Sequence, residues 1–85
     1  MRENPKNGEV WRHFKGNLYK VWFCPVKNAT NAMADDNEYV MYQPWAGNPN
    51  TGFYIRELKE FMSPVDKEKY PNSEQEWRFE KTKEF

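Results

Sequence analysis

The chain has 85 residues, 18% of them aromatic and 31% charged, with 13 basic residues balancing 13 acidic ones. A single domain of this size buries roughly 60% of its unfolded surface, so its thin core must rely on large rings that each bury on the order of 150–250 Å². The charge balance excludes a molecule-wide field able to gather nucleic acid but leaves room for a local patch. One cysteine and one histidine exclude an internal disulfide, and a four-ligand zinc site without carboxylates.

No stretch approaches the ~20 apolar residues of a membrane span, and "MRENPKNGE" has no apolar signal region, so a cytoplasmic protein without membrane contact is expected. Asn28-Ala29-Thr30 matches a glycosylation acceptor, which carries no weight without a secretion signal. Residues 1–8 hold little to bury and read as a flexible arm, residues 9–80 as one domain and 81–85 as a charged tail.

Val10 to Phe14 and Leu18 to Phe23 are β-branched and aromatic, and Gly16-Asn17 between them fits a two-residue type II′ hairpin turn. Lys27 to Asn37, "KNATNAMADDN", reads as a long polar loop, and Glu38 to Gln43, "EYVMYQ", as a strand. "PWAGNPNTG" turns the chain again. "FYIRELKEFM" suits a strand at Phe53 to Arg56, whereas Ile55, Leu58 and Met62 lie at helical spacing; a strand followed by a tight turn is expected. "SPVDKEKYP" offers Ser63 as a cap, Pro64 at the first helical position and Pro71 as a stop, which predicts a short helical turn. "EWRFE", Glu76 to Glu80, closes the pattern as a last strand. Short strands, polar loops and an aromatic core in so few residues predict an all-β fold, a small bent barrel whose closure removes exposed edges.

The two-residue turn pairs Phe14 with Tyr19, His13 with Lys20 and Trp11 with Trp22. Alternation then puts Val10, Arg12, Phe14, Tyr19, Val21 and Phe23 on a core face, and Trp11, His13, Lys15, Leu18, Lys20, Trp22 and Cys24 on the other. In that register Cys24 stands about 13 Å of strand from His13, whereas a nucleophile and its base need roughly 3 Å. A Cys–His dyad is therefore not expected, and Cys24 reads as a small half-buried apolar residue. Phosphate loops, Ser-His-Asp orders and H-x-x-x-H pairs do not occur, and no cofactor is implied.

The second face is open to two readings. Trp11 and Trp22 can be buried under a loop, with His13 a structural histidine and Lys15 an ordinary residue before a turn. Alternatively Trp11, His13, Lys15 and Lys20, with Arg56 from another strand, form a basic aromatic groove, since base stacking contributes ~1–3 kcal/mol per ring without a high overall charge. Trp45, between Pro44 and Ala46-Gly47 on a loop, suits a contact residue.

At "VWRHFKGNLYKV", "YVMYQ", "YIRELKEF", "VDKEKYP" and "WRF", the sequence resembles the bacterial and phage domain-of-unknown-function family 1653. The resemblance runs from Val10 to Phe79 and is most specific at His13-Phe14-Lys15-Gly16 with Tyr19 and Val21. Carried over residue by residue, the family motif falls on His13, Lys15, Gly16, Tyr19, Tyr42, Arg56 and Phe61. The departures are Glu57 at a usual Pro, Ala46 at a usual Tyr, and a longer 27–37 loop. The resemblance implies an SH3-like barrel and no activity.

The leading expectation is a non-catalytic binding module in which His13, Lys15 and Arg56, with Tyr42 and Tyr54, receive an anionic or extended ligand, a peptide or single-stranded nucleic acid. A second is a small enzyme or accessory domain using His13 as general acid or base beside an anion-binding Arg56, which requires those side chains to converge. A third is a structural domain docking to a partner protein through Trp22 and Trp45.

Overall fold

The computed structural model describes residues 2–29 and 37–82. Five antiparallel strands, β1 (Val10–His13), β2 (Leu18–Lys27), β3 (Glu38–Trp45), β4 (Tyr54–Glu57) and β5 (Phe79–Lys81), form one sheet in the order β4-β3-β2-β1-β5. One helical turn, α1 (Leu58–Phe61), follows β4. The all-β class is as expected, but the sheet is not closed: β4 and β5 remain its two edges. The predicted 27–37 loop and the 81–85 tail fall largely outside the described residues.

The first hairpin differs from its predicted register. The N–H of His13 donates to the Asn17 carbonyl at 2.9 Å and that of Gly16 to the His13 carbonyl at 2.8 Å, with Gly16 at φ +102°. This is a three-residue loop, a tight turn over Phe14 and Lys15 followed by a left-handed glycine, and not a two-residue II′ turn. Glycine is required in either case, because an L side chain is strained at that φ. Pairing becomes Trp11 with Tyr19 and Arg12 with Leu18. The shift is odd, so the strands exchange face partners. Trp11 and His13 now lie with Tyr19 and Val21 toward the core, and the predicted Trp11–Trp22 pair does not exist.

A second irregularity redirects the rest of β2. Val21 pairs with Tyr42 but Phe23 pairs with Met41, so the strand gains one residue between them. Val21 is fully buried, whereas Phe23, expected in the core, is 53% exposed on the outer face. Cys24 returns inward and packs half-buried against the core.

Trp11, Val21, Val40, Tyr42, Phe61 and Phe79 make the buried cluster. Phe61 projects from α1 into the seam left by the open sheet. Its ring stacks on Phe79 with centroids 4.0 Å apart and planes 6° from parallel, and meets Trp11 and Tyr42 edge-on, each at 5.5 Å. The backbone beyond α1 continues the closure: Arg78 N–H donates to the Ser63 carbonyl and Val65 N–H to the Glu76 carbonyl, both at 2.9 Å. Ser63 and Pro64 consequently do not start a helix, and Pro64 instead sits in an isolated bridge opposite Trp77. The helical turn expected in "SPVDKEKYP" is reduced to a turn over residues 67–69. Its cap is Asp66, whose Oδ1 accepts the N–H groups of Glu68 and Lys69.

The segment ahead of β1 also makes contacts. Pro5 is buried, Gly8 N–H donates to the Val21 carbonyl, and the Arg2 guanidinium lies over Trp77 at 4.5 Å and donates to the carbonyls of Met62 and Phe79.

Phe61→Ala should lower the unfolding free energy by about 3–5 kcal/mol, the usual cost of deleting a buried ring. Phe23→Ser, on the outer face, should change it by less than about 1 kcal/mol. Urea denaturation followed by tryptophan fluorescence checks both, and equal effects would contradict the assigned faces.

Candidate functional site

The corrected register carries His13 into a concavity lined by Tyr19, Tyr42, Tyr54, Arg56 and Phe79. His13 comes from the end of β1, Tyr19 from β2, Tyr42 from β3, Tyr54 and Arg56 from β4, and Phe79 from β5. Every strand therefore contributes to one small hollow on the inner face of the open sheet. Alternation explains the contributions from β4: Tyr54 and Arg56 point inward, while Ile55 between them is 59% exposed outside.

The rings make a continuous wall. Tyr19 meets Tyr42 edge-on at 5.3 Å and Phe79 at 5.9 Å, and Tyr42 lies 5.8 Å from Tyr54. His13 stands nearly perpendicular to Phe79, with ring centroids 4.9 Å apart. The cavity measures about 110 Å³, a few times the ~30 Å³ that a water molecule occupies in the liquid. It is well short of the ~300–1,000 Å³ of a site for a drug-sized molecule. A compact polar group fits it.

The polar groups are one guanidinium, one imidazole and three phenols, of which Tyr54 donates its hydroxyl proton to the Thr51 carbonyl at 3.1 Å. Arg56 Nε donates to the Tyr42 hydroxyl at 3.1 Å, and Nη1 pairs with Glu60 Oε1 at 2.7 Å. Among the described residues Nη2 has no such bond, so one edge of the guanidinium still has donors to offer. Tyr42 accepts from Arg56 and is left to donate its own proton. His13 Nδ1 accepts the Lys15 N–H at 3.1 Å, so the proton of the neutral ring resides on Nε2.

Burial first, and then the positive charges of Arg56, Arg78 and Lys15, push the His13 pKa from 6.5 down to about 4. The ring is thus neutral at physiological pH, chiefly because it is half-buried, with three nearby positive charges acting in the same direction. Burial raises the Tyr42 pKa against the opposing pull of Arg56. Desolvation by itself lowers that of Arg56, but the Tyr42 oxygen and Glu60 outweigh it, so Arg56 stays charged. Among the described residues no group of three His, Cys, Asp or Glu side chains could hold a metal ion.

Of the residues singled out in the sequence, His13, Tyr42, Tyr54 and Arg56 come together. Trp11 lines no part of the hollow and belongs to the buried core beneath, with its Nε1 donating to Glu9. Lys20 is on the opposite face, its ammonium held 4.7 Å from the Trp22 ring and 4.4 Å from the Trp45 ring, while Trp22 Nε1 donates to Gln43. Lys15 lies just outside the hollow over Phe14 and Tyr70. The basic aromatic groove, one of the two readings that the two-residue hairpin register left open, is therefore divided between two faces, and Trp11 is buried as in the other reading. Glu60 and Phe79 were missed. Glu60 could have been found from its i,i+4 spacing to Arg56 in "RELKE", but Phe79 carried no signal beyond its aromatic ring in the last strand.

Comparison with protein-family models matches residues 9–81 to a protein of unknown function, DUF1653. The chain belongs to the DUF1653 family. Comparison with curated proteins and with solved structures finds no match. In this DUF1653 chain the resembling positions His13, Tyr19, Tyr42 and Arg56 are the walls of the hollow, Gly16 makes the loop that carries His13 there, and Phe61 closes the core beneath. No described helix is long and apolar enough to cross a membrane.

The depressed His13 pKa fixes a pH dependence. The unfolded ring takes up its proton near pH 6.5 and the folded ring only near pH 4, so protonation favours the unfolded chain between those values. Stability is undiminished above about pH 6.5 and falls as pH drops toward 4. The NMR titration of this sole histidine should give a midpoint near 4, and His13→Gln should flatten the fall in melting temperature over that window. A midpoint near 6.5 would place the ring in solvent.

Proposed function

We propose that this protein is a small non-catalytic binding module, SH3-like in its bent sheet, that captures a compact anionic acceptor group such as a carboxylate or a phosphate between His13 and Arg56. The observation that carries the reading is the convergence of a half-buried guanidinium, a neutral imidazole and the Tyr42 hydroxyl on a hollow of about 110 Å³. Such a donor set is complementary to an acceptor with several lone pairs, and charge-assisted bonds from Arg56 make it the strongest contributor. A cationic occupant is disfavoured by the charge of Arg56 and not by the aromatic walls, whose ring faces attract cations.

The same geometry argues against His13 as a general base. Its Nδ1 accepts the Lys15 N–H and Nε2 carries the proton, so the neutral ring has no free lone pair to take up a proton. The alternative of a small enzyme built on His13 and Arg56 meets its first requirement, proximity, but lacks this second one. We take the module to act in the cytoplasm, where a lone thiol such as Cys24 stays reduced.

Titration with acetate and with inorganic phosphate, read from the aromatic and His13 resonances, should show saturable binding at millimolar concentrations. Arg56→Gln should weaken it at least tenfold, equivalent to about 1.4 kcal/mol, and Lys20→Ala, on the opposite face, should leave it unchanged. Equal loss from both variants, or none from either, would refute the assignment of the pocket.

A further inference from the structure

The loop that delivers His13 to the hollow has a second side. Phe14 and Lys15, the next two residues of the motif, line a neighbouring cleft of about 350 Å³ with Lys69, Tyr70, Pro71 and Asn72. The rings of Phe14 and Tyr70 meet at 4.8 Å and 59°, so a planar ring laid on one presents its edge to the other. Two ammonium groups flank them: Lys15 lies 5.6 Å from the Tyr70 ring and Lys69 lies 5.7 Å from it. Both lysines are exposed, and their flexible stems let each head group turn from the ring toward an incoming anion. The two sites touch, because the His13 and Phe14 rings are 4.4 Å apart.

Resting on the anion-pocket reading above, we propose that the natural ligand is a nucleotide, free or within a single strand, with its base in the Phe14–Tyr70 cleft and a phosphate in the His13–Arg56 pocket. A base needs an aromatic platform and a phosphate needs fixed donors, and one loop places the two side by side. Lys15 and Lys69 supply charge for a further phosphate of a strand without raising the net charge of the protein. A peptide added at one of the open sheet edges, β4 or β5, would pair backbone to backbone and make no use of the Phe14–Tyr70 cleft; it is an outcome of the test.

The test uses the intact protein with inorganic phosphate, adenosine 5′-monophosphate, a 5′-phosphorylated oligoadenylate hexamer and an acidic tyrosine-containing peptide as probes. The mononucleotide should bind at least tenfold more tightly than phosphate. Tyr70→Ala should remove that gain and leave phosphate affinity unchanged, and Tyr70→Phe should restore it; thermal melts confirm that the variants fold. Arg56→Gln should weaken phosphate and mononucleotide alike. If a strand is the source, the hexamer should bind more tightly than the mononucleotide, with a salt dependence reduced by Lys15→Ala and Lys69→Ala; if the free nucleotide is, the two should bind equally. Phosphate binding that depends on Arg56, without any gain for the nucleotide, overturns the nucleotide and leaves the pocket. Tighter, Tyr70-dependent binding of the peptide overturns it in favour of a peptide. Absence of phosphate binding, with Arg56→Gln silent, overturns the parent reading instead.

Discussion

The stack of Phe61 on Phe79 is the contact on which the rest of the structure depends. A five-stranded sheet whose edge strands do not pair must fill the seam between them with something other than hydrogen bonds. Here a single helical turn lowers one ring onto another at 4.0 Å, and the same ring reaches Trp11 and Tyr42 from the strands between. Because α1 begins directly after β4, setting Phe61 in the seam also sets Glu60 beside Arg56. The partner in the stack, Phe79, is a wall of the hollow. Core closure and site geometry are thus one arrangement, and neither α1 nor β5 can shift without moving both.

Much of this was legible in the chain, but at the level of segments more than of faces. The hairpin, the strand at "EYVMYQ" and the strand that yields to a turn after Arg56 follow from β-branched and aromatic runs bounded by Gly, Pro and Asn. What failed was the position of Gly16 within its turn. Both turn types ask for a glycine with positive φ and differ only in which loop place it fills. Local sequence does not separate them, and an odd slip exchanges the partners on every face. The bulge between Val21 and Phe23 is a second such event. It leaves no mark in composition, yet it separates a fully buried Val21 from an exposed Phe23.

The site suffered from the same ambiguity. Trp11, His13, Lys15 and Lys20 share a face only in the two-residue register. With three loop residues, His13 and Tyr19 go inward, Lys20 goes to the outer tryptophans, and Lys15 remains at the loop. Arg56 and the tyrosines came through because their positions on β3 and β4 do not depend on that turn. Their register is set by the pairing of Tyr42 with Tyr54 and of Val40 with Arg56.

A chain with no net charge can still hold a strongly polarised site, because burial amplifies what few charges it encloses. Arg56 is stabilised by Tyr42 and Glu60, so it keeps its charge in a partly desolvated place, and burial first, with the charges of Arg56, Arg78 and Lys15 adding to it, keeps His13 neutral. A second cation in so small a hollow would repel the first. A neutral imidazole adds no such penalty, so on the proposed reading the full charge that an anion meets comes from Arg56 alone. On the proposed reading the histidine would serve such a pocket by not titrating at physiological pH, the reverse of the role for which histidine is usually sought in a sequence.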